Sequence, residues 1–268
     1  MKKQIAYVAA VVLLVLLGRA NLLIAQGGLN FDAVNVEVKK VADKPIRYII
    51  NTDVHIDHAG GNEPLAKADG AKIIAHENVL KVMSGPKDGS SDDRFRAASG
   101  ARPAETFSDR KTLHFNGEDI DIIHIPTAHS AGDSIVFFRG SNVVSGGDVF
   151  AIVRYPVVDF DGGGRVTGTI AGLNQILALS DPAKVKGRTY IIPGHGRLCD
   201  REDVVKYRDM SVILRDRVQG MIKKGMTLKE IQAAKPTADY EPLYGATTGL
   251  GATDSFIEDL YNSLTAKK

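Results

Sequence analysis

The 268-residue chain contains one cysteine, Cys199, and no tryptophan. A lone thiol cannot close a disulfide within the chain, so stability must come from a hydrophobic core or from bound metal. Proline is sparse at 10 residues, and the 27 glycines follow no period, which excludes a collagen-like chain. With 44% hydrophobic and 25% charged residues the composition is that of a globular protein rather than a disordered one. An excess of one charge sign is also missing, since 34 Lys+Arg face 32 Asp+Glu. The first 25 residues hold Lys2, Lys3 and Arg19 and no acid, so the remainder carries 31 basic against 32 acidic side chains. Such a balance gives no general attraction for nucleic acid or an anionic membrane, and a small-molecule substrate is the expected partner.

Long apolar runs are absent except at the start, where Lys2 and Lys3 precede residues 5–17 (IAYVAAVVLLVLL). A charged beginning and a short apolar stretch read as an export signal, too short to span a bilayer core of ~30 Å comfortably. Cleavage after Ala25 fits, although Leu23 is not the small residue preferred two positions earlier. Residues 1–25 are therefore taken as a signal peptide and 26–268 as the mature domain, periplasmic or secreted. Left uncleaved, the segment would anchor the domain at the membrane.

Beyond the signal, Asn30 can cap a helix through Phe31, Val34, Val38 and Val41, ended by Lys44 and Pro45. Residues 46–50 (IRYII) read as a buried strand that empties into 52–62 (TDVHIDHAGGN), with Asn62 as a cap and Pro64 in a first helical turn. A strand at 71–75 leads to a helix at 77–83 and a polar loop at 84–100. Strands at 112–115 and 119–125 flank Asn116-Gly117, a strong hairpin signal because both residues tolerate positive φ. A second hairpin joins 134–138 to 142–145. A glycine-rich loop at 151–165, a helix at 167–179, a strand at 190–192 and further helices complete the chain. Strands interspersed with helices and hairpins predict a mixed α/β sandwich with a helical layer on each outer face.

Four of these strands deliver imidazoles and carboxylates into the loops at their ends: Asp53, His55, Asp57 and His58, then His129, Asp148 and His195. Loops on a rigid scaffold are where functional groups converge. These residue types are ligands for zinc, iron or manganese. His76, His114 and His124 lie in or beside apolar strands and read as packing groups, with His124 able to brace the site. Asp133 reads as a loop-ordering residue, Asn51 and Thr52 as turn formers, and Cys199 as a small semi-buried side chain. The 151–165 loop, with Arg154, Tyr155, Asp159 and Asp161, could be either a lid or a plain connection.

The runs Asp53-Val54-His55-Ile56-Asp57-His58, Thr127-Ala128-His129, Ser145-Gly146-Gly147-Asp148 and Pro193-Gly194-His195-Gly196, in that order, resemble the metallo-β-lactamase superfamily. The motif set is glyoxalase II-like, with Asp53 in the place of the first His of His-x-His-x-Asp-His. The resemblance implies a four-layer αβ/βα sandwich with two divalent metal ions along one edge. Asp53, His55 and His129 would hold the first, Asp57, His58 and His195 the second, and Asp148 would bridge them. It implies a hydrolase in which metal-bound hydroxide attacks a carbonyl or phosphorus centre of a β-lactam, lactone, thioester or phosphoester. Asp57 would also act catalytically, orienting the hydroxide and assisting proton transfer. An Asp at 148, where β-lactamases commonly have Cys or Ser, points modestly away from a dedicated lactamase.

Two departures qualify the resemblance. Asp53 adds a third carboxylate, making the donor set harder, so that iron or manganese competes with zinc. Relatives usually carry several strands before the first helix, whereas here only residues 26–29 precede it, which leaves room for an incomplete N-terminal sheet. Two further readings therefore stand beside the hydrolase: an iron-dependent sulfur dioxygenase, and a degenerate metal-binding protein without activity.

Overall fold

The structure, a computed structural model, describes residues 44–85 and 95–266. The expected signal peptide, the helix from Asn30 and part of the 84–100 loop lie outside the described residues. Among the described residues no helix is long and apolar enough to cross a membrane.

Two sheets pack face to face. The first contains β1 (Tyr48–Ile50), β2 (Lys72–His76) and β3 (Glu105–Phe107), all parallel. The second runs in sequence order through β4 (Arg110–Phe115), β5 (Glu118–His124), β6 (Ser134–Phe138), β7 (Val143–Ala151) and β8 (Tyr190–His195). Its first four strands are antiparallel neighbours and β8 is parallel to β7. The β4–β5 hairpin turns at Asn116 (φ 54°) and Gly117 (φ 79°), as that residue pair predicts.

Strand alternation assigns each face. Ile50 and Ile74 of the first sheet meet Ile120, Ile122, Val136 and Phe138 of the second to form the inter-sheet core. Ile49 and Ile73 point the other way and bury Leu65 of α2 (Asn62–Asp69). Ala75 packs with Val79 and Met83 of α3 (Glu77–Met83). On the far side, Ile135, Phe137 and Val144 meet α4 (Val166–Leu179), α5 (Arg201–Lys223) and α8 (Thr253–Thr265). The result is helix, sheet, sheet, helix: the expected four-layer sandwich. Helix α5 begins at a reciprocal cap in which the Asp200 side chain accepts from the Asp203 amide while the Asp203 side chain accepts from the Asp200 amide. Its buried Val204, Tyr207, Ser211, Leu214 and Val218 recur at helical spacing. Short helices α6 (Leu228–Ala233) and α7 (Glu241–Tyr244) connect it to α8.

Because β5, β7 and β8 run the same way, their C-terminal ends share one edge of the second sheet. The Ser134 amide donates to the Thr52 carbonyl (2.8 Å), tying the segment after β1 to that edge. The edge is where the site forms.

Several local expectations change. Asn62 is the first residue of α2 and not its cap, which is Gly61. Its side chain is committed elsewhere, exchanging amide hydrogen bonds with Asn51 (2.8 and 2.9 Å) and donating to the Ala101 carbonyl. Asn51 is therefore a buried clamp as well as a turn residue. Asp148 lies inside β7, which continues through an irregular stretch to Ala151, and not in a loop beyond it. His114 is exposed and pairs with Asp119 at 2.6 Å, so it packs nothing. His124 stacks on His76, joining the two sheets at a centroid separation of 3.5 Å.

Burial disfavours charge on both stacked imidazoles, and His124 adds to the cost at His76. Glu77, Asp109 and the carbonyls of Ser108 and Asp133 offset this only in part. Both folded pKa values lie below the ordinary 6.5, so the unfolded chain takes up protons first. The pair's stabilisation is complete above pH 6.5 and is lost as pH falls through the lower folded values. The advantage in unfolding free energy of the parent over His124→Gln should shrink as pH falls from 8 to 5, a difference that cancels the titration of the other histidines.

Candidate metal centre

The segment after β1 is shaped by its own side chains. Exchange of hydrogen bonds between Asn51 and Asn62 closes the loop at its two ends. Within it, Asp53 Oδ1 accepts from the His55 backbone amide at 2.8 Å, turning the chain so that His55 precedes a single helical turn, α1 (Ile56–Ala59). That turn carries Asp57 and His58. Thr52 Oγ1 lies 3.4 Å from His58 Nδ1, which leaves His58 Nε2 facing inward.

All seven expected site residues converge. Asp53, His55 and His129 form one group, and Asp57, His58 and His195 another, each compact enough to share one ion. In the first, His55 Nδ1 lies 3.2 Å from both Asp53 Oδ1 and His129 Nε2. In the second, Asp57 Oδ2 lies 3.2 Å from His195 Nε2 and 3.6 Å from His58 Nε2. Asp148 sits between them. Its Oδ1 is 3.2 Å from His58 and 3.3 Å from His195, and its Oδ2 is 3.7 Å from His129. Side-chain exposure rises from 1% at Asp53 to 38% at Asp57, so the second group faces the solvent and the first lies behind it.

Two glycines make room for Asp148. Gly147 has φ 50°, and a Cβ there would collide with the Thr52 side chain. A Cβ on Gly194 would fall on Asp148 Oδ1 itself. Only hydrogen at these positions lets β7, β8 and the β1 loop close around one carboxylate.

The 151–165 loop is neither lid nor idle connection. Tyr155 is fully buried, and backbone hydrogen bonds tie the loop to 127–131, including Asp159 to the His129 carbonyl (2.7 Å) and Ala131 to the Gly162 carbonyl (2.9 Å). It presents the Val157 carbonyl to His129 Nδ1 at 2.8 Å, which assigns the proton to Nδ1 and turns the Nε2 lone pair toward the site. Asp159 Oδ2 lies 3.5 Å from His55 Nε2, an ion-pair distance at which the carboxylate favours a proton on Nε2 and leaves Nδ1 to face the site. Arg154 Nη2 reaches Asp148 Oδ2 at 3.4 Å. The sequence singled out Arg154 and Asp159 in this loop but gave neither a partner, and it gave no sign of Val157. The loop has no strand period or motif to signal what it touches, although its Gly162-Gly163-Gly164 run marked a special backbone.

Electrostatics tie the groups together. Burial works against the charge on His58, but attraction to Asp53 and close contact with Asp148 push its pKa up to about 10. Burial likewise opposes charge on His55, and Asp159 and Asp53 raise it to about 10. Close contact with the carboxylates of Asp148 and Asp57 lifts His195 to about 9. Despite burial, Asp53 is held below the usual carboxylate range by His58 and His55, and Asp148 well below it by His195 and His58. Asp57 falls to about 2, as His195 and His58 outweigh its burial. The site thus keeps its carboxylates ionised and calls for compensating positive charge.

The donor atoms fit metal better than they fit one another. Asp53 Oδ2, His58 Nε2, Asp148 Oδ1 and His195 Nε2 are buried and make no hydrogen bond. They approach one another within 3.2–3.8 Å without meeting as hydrogen-bond donor and acceptor. Buried polar atoms are otherwise nearly always paired, and an imidazole–carboxylate set of this kind is the ligand chemistry of divalent cations.

The model of the metallo-beta-lactamase superfamily matches residues 17–195. The chain belongs to that superfamily. A metallo-beta-lactamase from Pontibacter korlensis shares the fold with a TM-score of 0.52 at 14% identity, over 68% of this chain and 76% of its own. The BLEG-1 B3 metallo-beta-lactamase does so with 0.53 at 20% identity, over 68% and 84%. The stereoselective inverting sec-alkylsulfatase Pisa1 from Pseudomonas sp. gives 0.59 at 16% identity, over 87% of this chain but 44% of its own, so this chain spans under half of that enzyme. No curated protein matches the sequence. The superfamily match ends at His195, so helices α5 to α8 follow it.

If Asp159 sets the ligating face of His55, Asp159→Ala should weaken binding of the first metal equivalent about 10–100-fold while leaving the second group's affinity nearly unchanged. Competition titration with a chromophoric chelator measures both.

Proposed function

We propose that this member of the superfamily is a hydrolase using two divalent metal ions, one held by Asp53, His55 and His129 and the other by Asp57, His58 and His195, with Asp148 shared. The observation that carries the reading is the arrangement of the two ligand groups around Asp148, with four buried donor atoms that have no hydrogen-bond partner. Divalent ions there would supply Lewis acidity and an acidified water at neutral pH. The protein's own residues fix the geometry. Val157 and Asp159 set the ring faces of His129 and His55. Asp57, the most exposed carboxylate of the seven, lies where an incoming substrate first meets the site and can accept a proton from the attacking water.

The buried Asp53 carboxylate makes the first group harder than an all-imidazole one, which favours iron or manganese alongside zinc. A β-lactam, lactone, thioester, phosphoester or sulfate ester would each suit a two-cation site. Residues 1–25 support action outside the cytoplasm.

The test is a hydrolase panel on zinc-, manganese- and iron-loaded protein. Turnover of at least one ester class is expected, with His58→Ala and Asp57→Ala each lowering kcat/KM at least about 100-fold while the metal-free variants still unfold cooperatively. Unaltered turnover in both variants would refute the assigned site. Oxygen uptake with a persulfide substrate in place of hydrolysis would assign an iron dioxygenase, and Asp53→His should shift metal content toward zinc.

A further inference from the structure

Resting on the two-metal reading, we propose that Asn78 is a positioning residue for the first metal: its side chain holds the loop between β5 and β6 so that His129 stays in register with Asp53 and His55. The three ligands of that group come from both sheets. Asp53 and His55 follow β1 of the first, whereas His129 lies in the loop, residues 125–133, that joins β5 to β6 of the second. His195 of the second group ends a strand, but the backbone around His129 has no strand or helix to stiffen it. Asn78 lies in the first turn of α3, and its Nδ2 donates to the Ala131 carbonyl at 2.8 Å, just beyond His129. From the opposite side the Ala131 amide donates to the Gly162 carbonyl at 2.9 Å. Ala131 is thus gripped by the outer helix layer of the first sheet and by the loop after β7. At Gly132 a Cβ would stand 2.9 Å from the Val79 side chain, so α3 lies directly against the loop.

An Asn in a first helical turn commonly bonds its own backbone. Here His76 takes that task and frees the amide. His76 Nδ1 accepts from the Asn78 backbone amide at 3.2 Å while Nε2 donates to the Ser108 carbonyl at 2.7 Å, so one neutral tautomer satisfies both. His124, stacked on His76, donates from Nδ1 to the Asp133 carbonyl at 3.0 Å. The Asp133 side chain in turn accepts from the Ser130 amide at 2.7 Å and hydroxyl at 2.8 Å. The loop is therefore fixed at Ala131 by Asn78 and at Asp133 by His124, and Ser130 passes that restraint to its neighbour His129. Without the Asn78 donor the Ala131 carbonyl loses its partner from α3 and the loop relaxes away from the first sheet. Metal affinity depends on such supporting bonds because they set where the ligand nitrogen stands.

The test compares the parent with Asn78→Asp, which keeps the side chain's shape but removes its donor, and with Asn78→Gln, which keeps a donor on a longer stem. Stepwise zinc affinities are read by competition with a chromophoric chelator, and the stability of the metal-free proteins by denaturant unfolding. Asn78→Asp should weaken the first group about 10-fold and leave the second nearly unchanged. Its metal-free unfolding midpoint should stay close to the parent's, because a carboxylate in a first helical turn is itself favourable. Asn78→Gln should recover part of the lost affinity. Unchanged affinities in Asn78→Asp, equal weakening of both groups, or a fall in stability without a selective loss at the first group would each overturn the proposal while leaving the two-metal reading intact. Failure of the parent protein to bind zinc would overturn both.

Discussion

Three carboxylates, Asp53, Asp57 and Asp148, are crowded at one edge of the sandwich, and the rest of the site answers that crowding. Asp148 raises the cost of ionising both neighbours, yet all three remain ionised because imidazoles stand between them. In the absence of metal, protons on His55, His58 and His195 supply the balancing charge. Divalent cations would do so with ligand geometry already in place. The glycines at 147 and 194, the Asn51–Asn62 clamp and the buried loop after β7 all serve to hold these charges at short range.

That constraint also explains the division of labour between the layers. The inter-sheet core fixes β1 against the second sheet, while the parallel directions of β5, β7 and β8 bring their ends to a common edge. The outer helices do more than cover apolar strands. Through Tyr207 and Gly251 they reach back to Arg154, so the far layer bears on the rim of the site.

Much of this was legible in the sequence, for physical reasons. Short spacing placed Asp53, His55, Asp57 and His58 in the one loop that follows β1, and Asn116-Gly117 demanded its hairpin because both residues accept positive φ. The four-layer order followed from the superfamily resemblance and from strand–helix alternation. What stayed hidden depends on contacts between segments distant in sequence. Asn62 reads locally as a cap, but its side chain is drawn away by Asn51 and Ala101. His124 and His129 lie five positions apart, yet one stacks between sheets and the other faces the centre. The roles of Val157, Asp159 and Arg154 follow from where an irregular loop comes to rest, which no periodicity records.

The central claim is that the two residue groups around Asp148 form a two-cation site. Stepwise titration of the metal-free protein with zinc or manganese, followed by both bound equivalents and melting temperature, tests it most directly. Two equivalents should bind, each raising the melting temperature, as expected for ligands that bind only the folded state. Binding of one equivalent or none, or two without any gain in stability, would contradict the account.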